Sequence, residues 1–166
     1  MPTKLSEHFT IEEMCFSDYA IRHELDNTPD EAITANLTRL CNDMLEPIRA
    51  MLNEPLHINS GYRSPAVNIG VGGVLPTANS RGSQHLYGEA ADVILANHKG
   101  DLQELVKAYN AIKNSDLQFH QLIFEANSWI HVSVPPDGVN TKRQCLLAVR
   151  NNGSWLYNPV NDDLVL

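Results

Sequence analysis

The sequence predicts an α+β domain in which a mostly antiparallel central sheet is flanked by helices. Two long segments carry apolar residues at three- and four-residue steps, as amphipathic helices do. Five shorter apolar segments, bounded by turn residues, are typical of strands. The 166 residues are close to the size of one domain, and neither a linker nor an internal repeat divides them, so residues 1–166 are expected to form a single domain.

The first long helix is predicted to begin in the segment TPDE, with Thr28 as the N-cap and Pro29 at the first helical position. Its apolar stripe covers 33–52. Pro47 lies inside that stripe, where it removes one backbone donor and clashes with the preceding turn. A kink or a break is therefore expected near Glu46.

Two more helices are predicted from capping residues. Asp101 and Glu104 form a capping box before an apolar stripe, and Thr10 caps a short helix in LSEHFTIEEM. The strands are expected in LHINS, GEAADVIL, QLIFEA, WIHVSV and QCLLAVR. Residues 65–82 are predicted to be a long loop, either functional or a plain insertion, and the C-terminal tail is either a final strand or a loosely attached end.

The composition excludes several classes of function. Twelve Lys and Arg against twenty Asp and Glu give a formal charge of −8, and the basic residues are scattered, so a nucleic-acid partner is not expected. The apolar runs are too short to span a membrane, and the start MPTKLSEHFT lacks the apolar stretch of a signal peptide, which predicts synthesis in the cytoplasm. The three cysteines form no CxxC pair, so disulfides and thiolate zinc sites are not expected. None of them begins a helix beside a glycine-rich or cationic segment that would lower a thiol pKa, so a cysteine-histidine peptidase is not expected either.

The segment SQHLYGEAAD has the residue types of a metal site. His85 and Asp92 offer an imidazole and a carboxylate, and a catalytic zinc takes three such ligands and keeps one position open. If the chain is extended from Gly88 onward, Gly88, Ala90 and Asp92 share one face and the two small residues leave room for a metal. His131 in WIHVSV is a candidate third ligand, although a strand histidine is more often a core or surface residue.

The pattern S-x-H-x-x-G-x-A-x-D and the later WIHVS resemble the zinc D-alanyl-D-alanine carboxypeptidase family. That family is part of a larger group with the lysostaphin-type peptidases and the hedgehog signalling domain. LSEHFTIEEM, INSGYRSP and QLIFEANSWIHVS resemble its short, phage-associated branch and extend the resemblance over nearly the whole chain except the C-terminal tail. The resemblance implies a fold like those of the hedgehog domain and the D-Ala-D-Ala peptidases, with a zinc ion bound by His85, Asp92 and His131.

Glu125 is the candidate general base for a water that attacks a peptide carbonyl. It lies six residues before His131, as in the hedgehog domain, whereas some relatives have a spacing of three. The spacing keeps Glu125, Trp129 and His131 on one face only if the connecting loop has an odd number of residues or a bulge. We expect a three-residue loop with Asn127 or Ser128 in the left-handed conformation. The alternative for Glu125 is a solvated hairpin carboxylate.

Four more residues are candidates for contacts with substrate. The resemblance places Arg63 near the substrate, where its fork suits a carboxylate or an oxyanion, and its alternative is a surface ion pair. Ser83 binds substrate or braces its loop. His120 is a candidate transition-state donor, or else a surface histidine. Trp129 forms a wall of the pocket or only packs.

These residues predict a zinc metallopeptidase that cleaves peptidoglycan stem peptides, as a carboxypeptidase or as an endopeptidase similar to endolysins. We expect a monomer that acts at the bacterial cell wall after export through a lysis pore, from a virion or after lysis, with no membrane or nucleic-acid partner. The alternative is a zinc-stabilised binding or structural module without turnover. Glu125 discriminates between the two, because a module has no need of a base.

Overall fold

A mostly antiparallel, six-stranded sheet organises the computed structural model, which describes residues 1–165. The strand order is β1-β2-β4-β3-β5-β6, and every neighbouring pair is antiparallel except β3 and β5. The strands are β1 (Leu56–Ser60), β2 (Ala90–Leu95), β3 (Gln121–Glu125), β4 (Trp129–Ser133), β5 (Gln144–Asn151) and β6 (Ser154–Pro159). The α-helices are α1 (Ile11–Met14), α2 (Asp18–Arg22), α3 (Glu31–Leu40), α4 (Glu46–Leu52), α5 (Pro65–Gly70) and α6 (Leu102–Lys113). The predicted α+β class with a mostly antiparallel sheet is confirmed.

The two faces of the sheet differ in what covers them. On one face, alternate residues of β2, β3 and β4 pack against the apolar sides of α3, α4 and α6 and form the main core. The other face carries Asp92, His131, Ile123 and Glu125, which the period of two places together. An irregularity in β1 between Ile58 and Ser60 shifts the register so that Ser60 pairs with Asp92 and joins this second face.

The start predicted for the first long helix is wrong by two residues. Asp30, not Thr28, is the N-cap, and its Oδ1 accepts from the backbone N–H of Ile33 at 2.8 Å. The N–H of Thr28 instead donates to Asp26 Oδ1 at 2.8 Å, within a turn that precedes the helix. Aspartate is a better N-cap than threonine, so the cap lies at the later residue.

The irregularity expected near Glu46 is present as a local change of helical hydrogen bonding. Residues Cys41–Leu45 form a π-helical turn. The N–H of Glu46 donates to the carbonyl oxygen of Cys41, five residues earlier, instead of to that of Asn42, which it would use in an α-helix. Pro47 then lies at the start of α4, where its missing donor costs no helical hydrogen bond. The caps predicted at Thr10 and Asp101 are also confirmed, since their side chains accept from the backbone of Glu13 and Glu104.

The prediction of a structureless loop over 65–82 is wrong for its first part. Ser64 caps α5 and Pro65 occupies its first turn, which is a local helix start that the Gly and Asn content concealed. The C-terminal tail contains a final strand, because β6 pairs with β5 along its whole length. None of the helices within residues 1–165 has the length and apolar character needed to cross a bilayer.

Candidate metal centre

Three buried polar side chains meet on the open face of the sheet. Asp92 on β2 and His131 on β4 are directly paired across the two strands. His85 lies in a 3₁₀ turn, Gln84–Tyr87, that leads into β2. His85 Nε2 is 3.2 Å from His131 Nδ1 and 3.2 Å from Asp92 Oδ1, and the last two atoms are 3.0 Å apart. The structure thus brings the three predicted ligands together, within one group that could hold a metal ion.

The geometry of this triangle fits a tetrahedral zinc. Ligand atoms that lie 2.0–2.1 Å from zinc at tetrahedral angles are about 3.3 Å from one another. The observed separations of 3.0–3.2 Å are close to that value. Two imidazoles and one carboxylate are also donors that zinc accepts in catalytic sites with one position open.

Gly88 departs from the predicted extended conformation. It has φ +66 and ends the 3₁₀ turn, and β2 begins only at Ala90. A Cβ at this position would lie 2.9 Å from the carbonyl oxygen of Ile33. Glycine is therefore required here for the left-handed turn and for the close approach to α3, and the prediction that it leaves room above the metal is wrong.

Backbone contacts fix the orientation of His85. Its Nδ1 is 2.7 Å from the carbonyl oxygen of Gly61, to which it donates, so Nε2 is left with its lone pair facing the other two ligands. A Cβ on Gly61 would lie 2.2 Å from the carbonyl oxygen of Met14. Only glycine thus lets α1 pack closely against the segment that holds His85.

Arg63 contacts a ligand. Its Nη2 donates to Asp92 Oδ2 at 3.1 Å, its Nε donates to Ser60 Oγ at 2.9 Å, and its Nη1 donates to Asn68 Oδ1 at 3.4 Å. Asp92 therefore uses one oxygen in the ligand triangle and the other in an ion pair. Ser60 and Asn68 are site residues that sequence reasoning missed, and the only signal for Ser60 was its place in INSGYRS.

The electrostatics favour the protonation states that a metal needs. Burial lowers the pKa of His85 and outweighs the opposing charge of Asp92, so the neutral imidazole that a metal ligand requires is favoured. Burial opposes ionisation of Asp92, but its interactions with His85 and His131 outweigh that effect and lower its pKa. The carboxylate is therefore ionised and ready to bind a cation.

Glu125 lies on the same face of the sheet as the ligands. A three-residue loop joins β3 to β4, as predicted, and it pairs Glu125 with Trp129. Asn127 is left-handed with φ 53, as expected, and Ala126 is left-handed as well, with φ 48. Trp129 Nε1 donates to Glu125 Oε2 at 2.9 Å. Burial and the charge of Asp92 raise the pKa of Glu125, against smaller opposing effects of His131 and Trp129.

The ligands and Glu125 line one cleft of about 710 Å³. Ser83 and Trp129 also line it, and Ser83 Oγ accepts from the N–H of His85 at 3.4 Å, so this serine braces the turn that carries a ligand. His120 is not among the lining residues, and the structure does not place it in the cleft. Its Nδ1 is buried without a hydrogen-bond partner among the described residues, and burial lowers its pKa.

The cysteines do not contribute to the cleft. All three are free, and none belongs to the lining within the described chain. Burial raises the pKa of Cys15 to about 11 and that of Cys41 to about 12, and it raises the pKa of Cys145 as well. These thiols are protonated at neutral pH and lack the thiolate character of a nucleophile.

Comparison with known proteins agrees with this geometry. Residues 7–133 match a family model described as Peptidase M15. The match covers more than half of the chain and includes His85, Asp92, Glu125 and His131. The chain matches no curated protein.

Proposed function

Because the chain belongs to the peptidase M15 family, we propose that it is a zinc metallopeptidase that hydrolyses peptide bonds in the stem peptides of peptidoglycan. The observation that carries the proposal is the triangle of His85, Asp92 and His131 in one cleft with the half-buried Glu125. The resemblance of SQHLYGEAAD and WIHVS to the D-alanyl-D-alanine carboxypeptidases supports the choice of peptidoglycan as the substrate class.

The three ligand residues would hold the zinc ion, which when bound supplies a Lewis acid for the scissile carbonyl. Glu125 accepts the proton of the attacking water and returns it to the leaving amine. A raised pKa makes the carboxylate of Glu125 a stronger base toward the attacking water, and the protonated carboxyl group can still pass its proton to the leaving amine, which is more basic. The indole of Trp129 holds one carboxylate oxygen and leaves the other for the water.

The chain's own residues also position these groups. Gly61 orients His85, and Arg63 holds the second oxygen of Asp92, so both ligands keep their direction before a metal is bound. Action at the bacterial cell wall is part of the proposal and rests on the substrate class.

Digestion of purified peptidoglycan and of defined stem peptides tests the proposal. We expect the zinc-loaded protein to release fragments that mass spectrometry identifies, and Glu125→Ala to release none above background. Loss of a single terminal D-alanine would identify a carboxypeptidase, and an internal cut would identify an endopeptidase. A wild-type protein that binds zinc but cuts no wall substrate would contradict the proposal and favour a non-catalytic zinc-stabilised module.

A further inference from the structure

One wall of the cleft comes from a part of the chain that the family model does not match. The match ends at residue 133, whereas the hairpin of β5 and β6 spans 144–159. Five side chains of this hairpin line the same cleft as the metal ligands: Gln144, Leu146, Arg150, Trp155 and Tyr157. We call these five residues the hairpin wall.

The sheet register places the hairpin wall beside Glu125. Because β5 pairs in parallel with β3, Ala148 lies next to Glu125, and β6 then places Tyr157 next to Ala148. Ala148, between Glu125 and Tyr157, is fully buried and packs in a small apolar cluster with Ile123 and Leu146. Arg150 is two residues further along β5 on the same face, directly paired with Trp155.

We propose that the hairpin wall binds a carboxylate-bearing residue of the peptide substrate, with Arg150 as the ion-pair partner of that carboxylate. This inference rests on the proposed peptidase function and adds to it a specificity determinant. It assigns a role to strands that the family match leaves out.

The contacts of Arg150 leave its guanidinium available. It lies over the ring of Trp155, 4.4 Å from the ring centroid, and Nη1 donates to the carbonyl oxygen of Gly153 at 3.2 Å. Within residues 1–165, no acidic side chain forms an ion pair with it. A guanidinium has five N–H donors, so stacking on an indole orients the group and leaves most donors for a ligand.

Arg63 cannot fill the same role without giving up a metal ligand. Its guanidinium is engaged with Asp92, Ser60 and Asn68, and its side chain is only 15% exposed. The arginine that sequence reasoning assigned to a substrate carboxylate is thus already paired, whereas Arg150 lines the cleft without an acidic partner among the described residues.

Acidic groups lie on the same face of the sheet as the hairpin wall. The chain has a formal charge of −8, and Glu125 and Asp92 place two acidic groups on this face of the sheet. Their negative charge contributes, after burial, to the raised pKa of Tyr157, whereas Arg150 acts in the opposite direction. Three arginines line the cleft: Arg63 is paired with Asp92 and Arg22 lies on α2, so Arg150 is the cation that an acidic substrate residue would meet at the hairpin wall.

The test uses two stem peptides that are identical except that one acidic residue has a free carboxylate in the first and a carboxamide in the second. We expect wild-type protein to prefer the carboxylate in kcat/KM by about tenfold to a hundredfold, the range for a charged hydrogen-bonded pair. Arg150→Gln is expected to remove this preference by slowing only the carboxylate peptide. Arg150→Lys, which keeps the charge without the planar fork, is expected to retain part of it.

Two further variants show whether Arg150 or another arginine is responsible for the preference for the carboxylate peptide. Arg49→Gln makes the same charge change on α4, away from the cleft lining, and is expected to keep the full preference. Arg22, on α2, also lines the cleft. Loss of the preference in Arg22→Gln with retention in Arg150→Gln would overturn the proposal, as would an equal loss for both peptides in Arg150→Gln.

A binding measurement separates this inference from the proposed catalysis. The sequence has two tryptophans, Trp129 and Trp155, and both line the cleft, so intrinsic fluorescence reports peptide binding without turnover. If the zinc-loaded wild type cuts neither peptide, the proposed function fails. Tighter binding of the carboxylate peptide by the wild type but not by Arg150→Gln would then still support the wall, and equal binding of the two peptides would overturn it.

Discussion

Replacing Arg63 by glutamine is expected to weaken zinc binding more than substrate binding. Arg63 donates to Asp92 Oδ2 at 3.1 Å, and the two side chains are 15% and 7% exposed. The substitution leaves a buried carboxylate without the cation beside it. Asp92 keeps only the two imidazoles, which are also the other ligands.

The expected magnitude follows from this burial. Removing one partner of a buried ion pair costs about 3–5 kcal/mol of stability, and the partial exposure of Arg63 places the expected loss near the lower end of that range. Loss of a group that orients a metal ligand lowers metal affinity by about 10–100-fold. Arg63→Lys is expected to lie between wild type and Arg63→Gln, because a lysine cannot bond Ser60 and Asp92 with one planar fork.

Zinc affinity is measured by competition with a chromophoric chelator, and KM is measured on a stem peptide under zinc saturation. The matched control is Arg81→Gln, which breaks the ion pair to the buried Glu89 and should lower stability without changing zinc affinity. Unchanged zinc affinity in Arg63→Gln together with a raised KM would refute this reasoning. That result would instead favour a direct role for Arg63 in binding substrate.

Three further predictions follow from the same contacts. Burial raises the pKa of Glu125, so the folded state binds this proton more tightly than the unfolded chain does, and the free energy of unfolding falls as pH rises through the raised pKa. Glu125→Gln should therefore raise the melting temperature of the metal-free protein at pH 7. The same substitution should lower kcat about 10²–10⁴-fold. A melting temperature of Glu125→Gln below that of the wild type at pH 7 would contradict the expected direction of this change. Gly88→Ala should lower the free energy of unfolding, measured in urea, by about 1–2 kcal/mol because of the φ of +66 alone. The close contact of the added Cβ with Ile33 should increase this loss. In the control Gly100→Ala the added Cβ meets no atom within 4 Å, so only the cost of the left-handed conformation is expected. Removing zinc with a chelator should lower the melting temperature, because free zinc at 100 times its Kd adds about 2.7 kcal/mol of stability. An unchanged melting temperature after proven metal removal would contradict this coupling of zinc binding to folding.

Features that depend on neighbouring residues could be predicted from the sequence. The caps at Thr10 and Asp101 satisfy backbone donors three residues away, and the irregularity before Pro47 follows from its missing donor. The three-residue loop after Glu125 followed from the period of two along a strand. Competition between adjacent caps is harder to resolve, which is why Asp30 and not Thr28 begins α3.

Features that depend on distant residues could not be predicted. Family resemblance identified the three ligands, but the pairing of Asp92 with His131 requires β2 and β4 to be neighbours in the sheet. The contact of Arg63 with Asp92 depends on the register shift before Ser60. The wall formed by β5 and β6 depends on a parallel pairing with β3, and no local pattern in QCLLAVR specifies that partner.

The metal content and X-ray absorption spectrum of the zinc-titrated protein test the assignment of the metal centre most directly. We predict one zinc per chain with only nitrogen and oxygen ligands at about 2.0–2.1 Å, and loss of that zinc in His85→Ala and in His131→Ala. Sulfur ligands at about 2.3 Å, or equal zinc binding by wild type and both variants, would contradict the assignment of His85, Asp92 and His131.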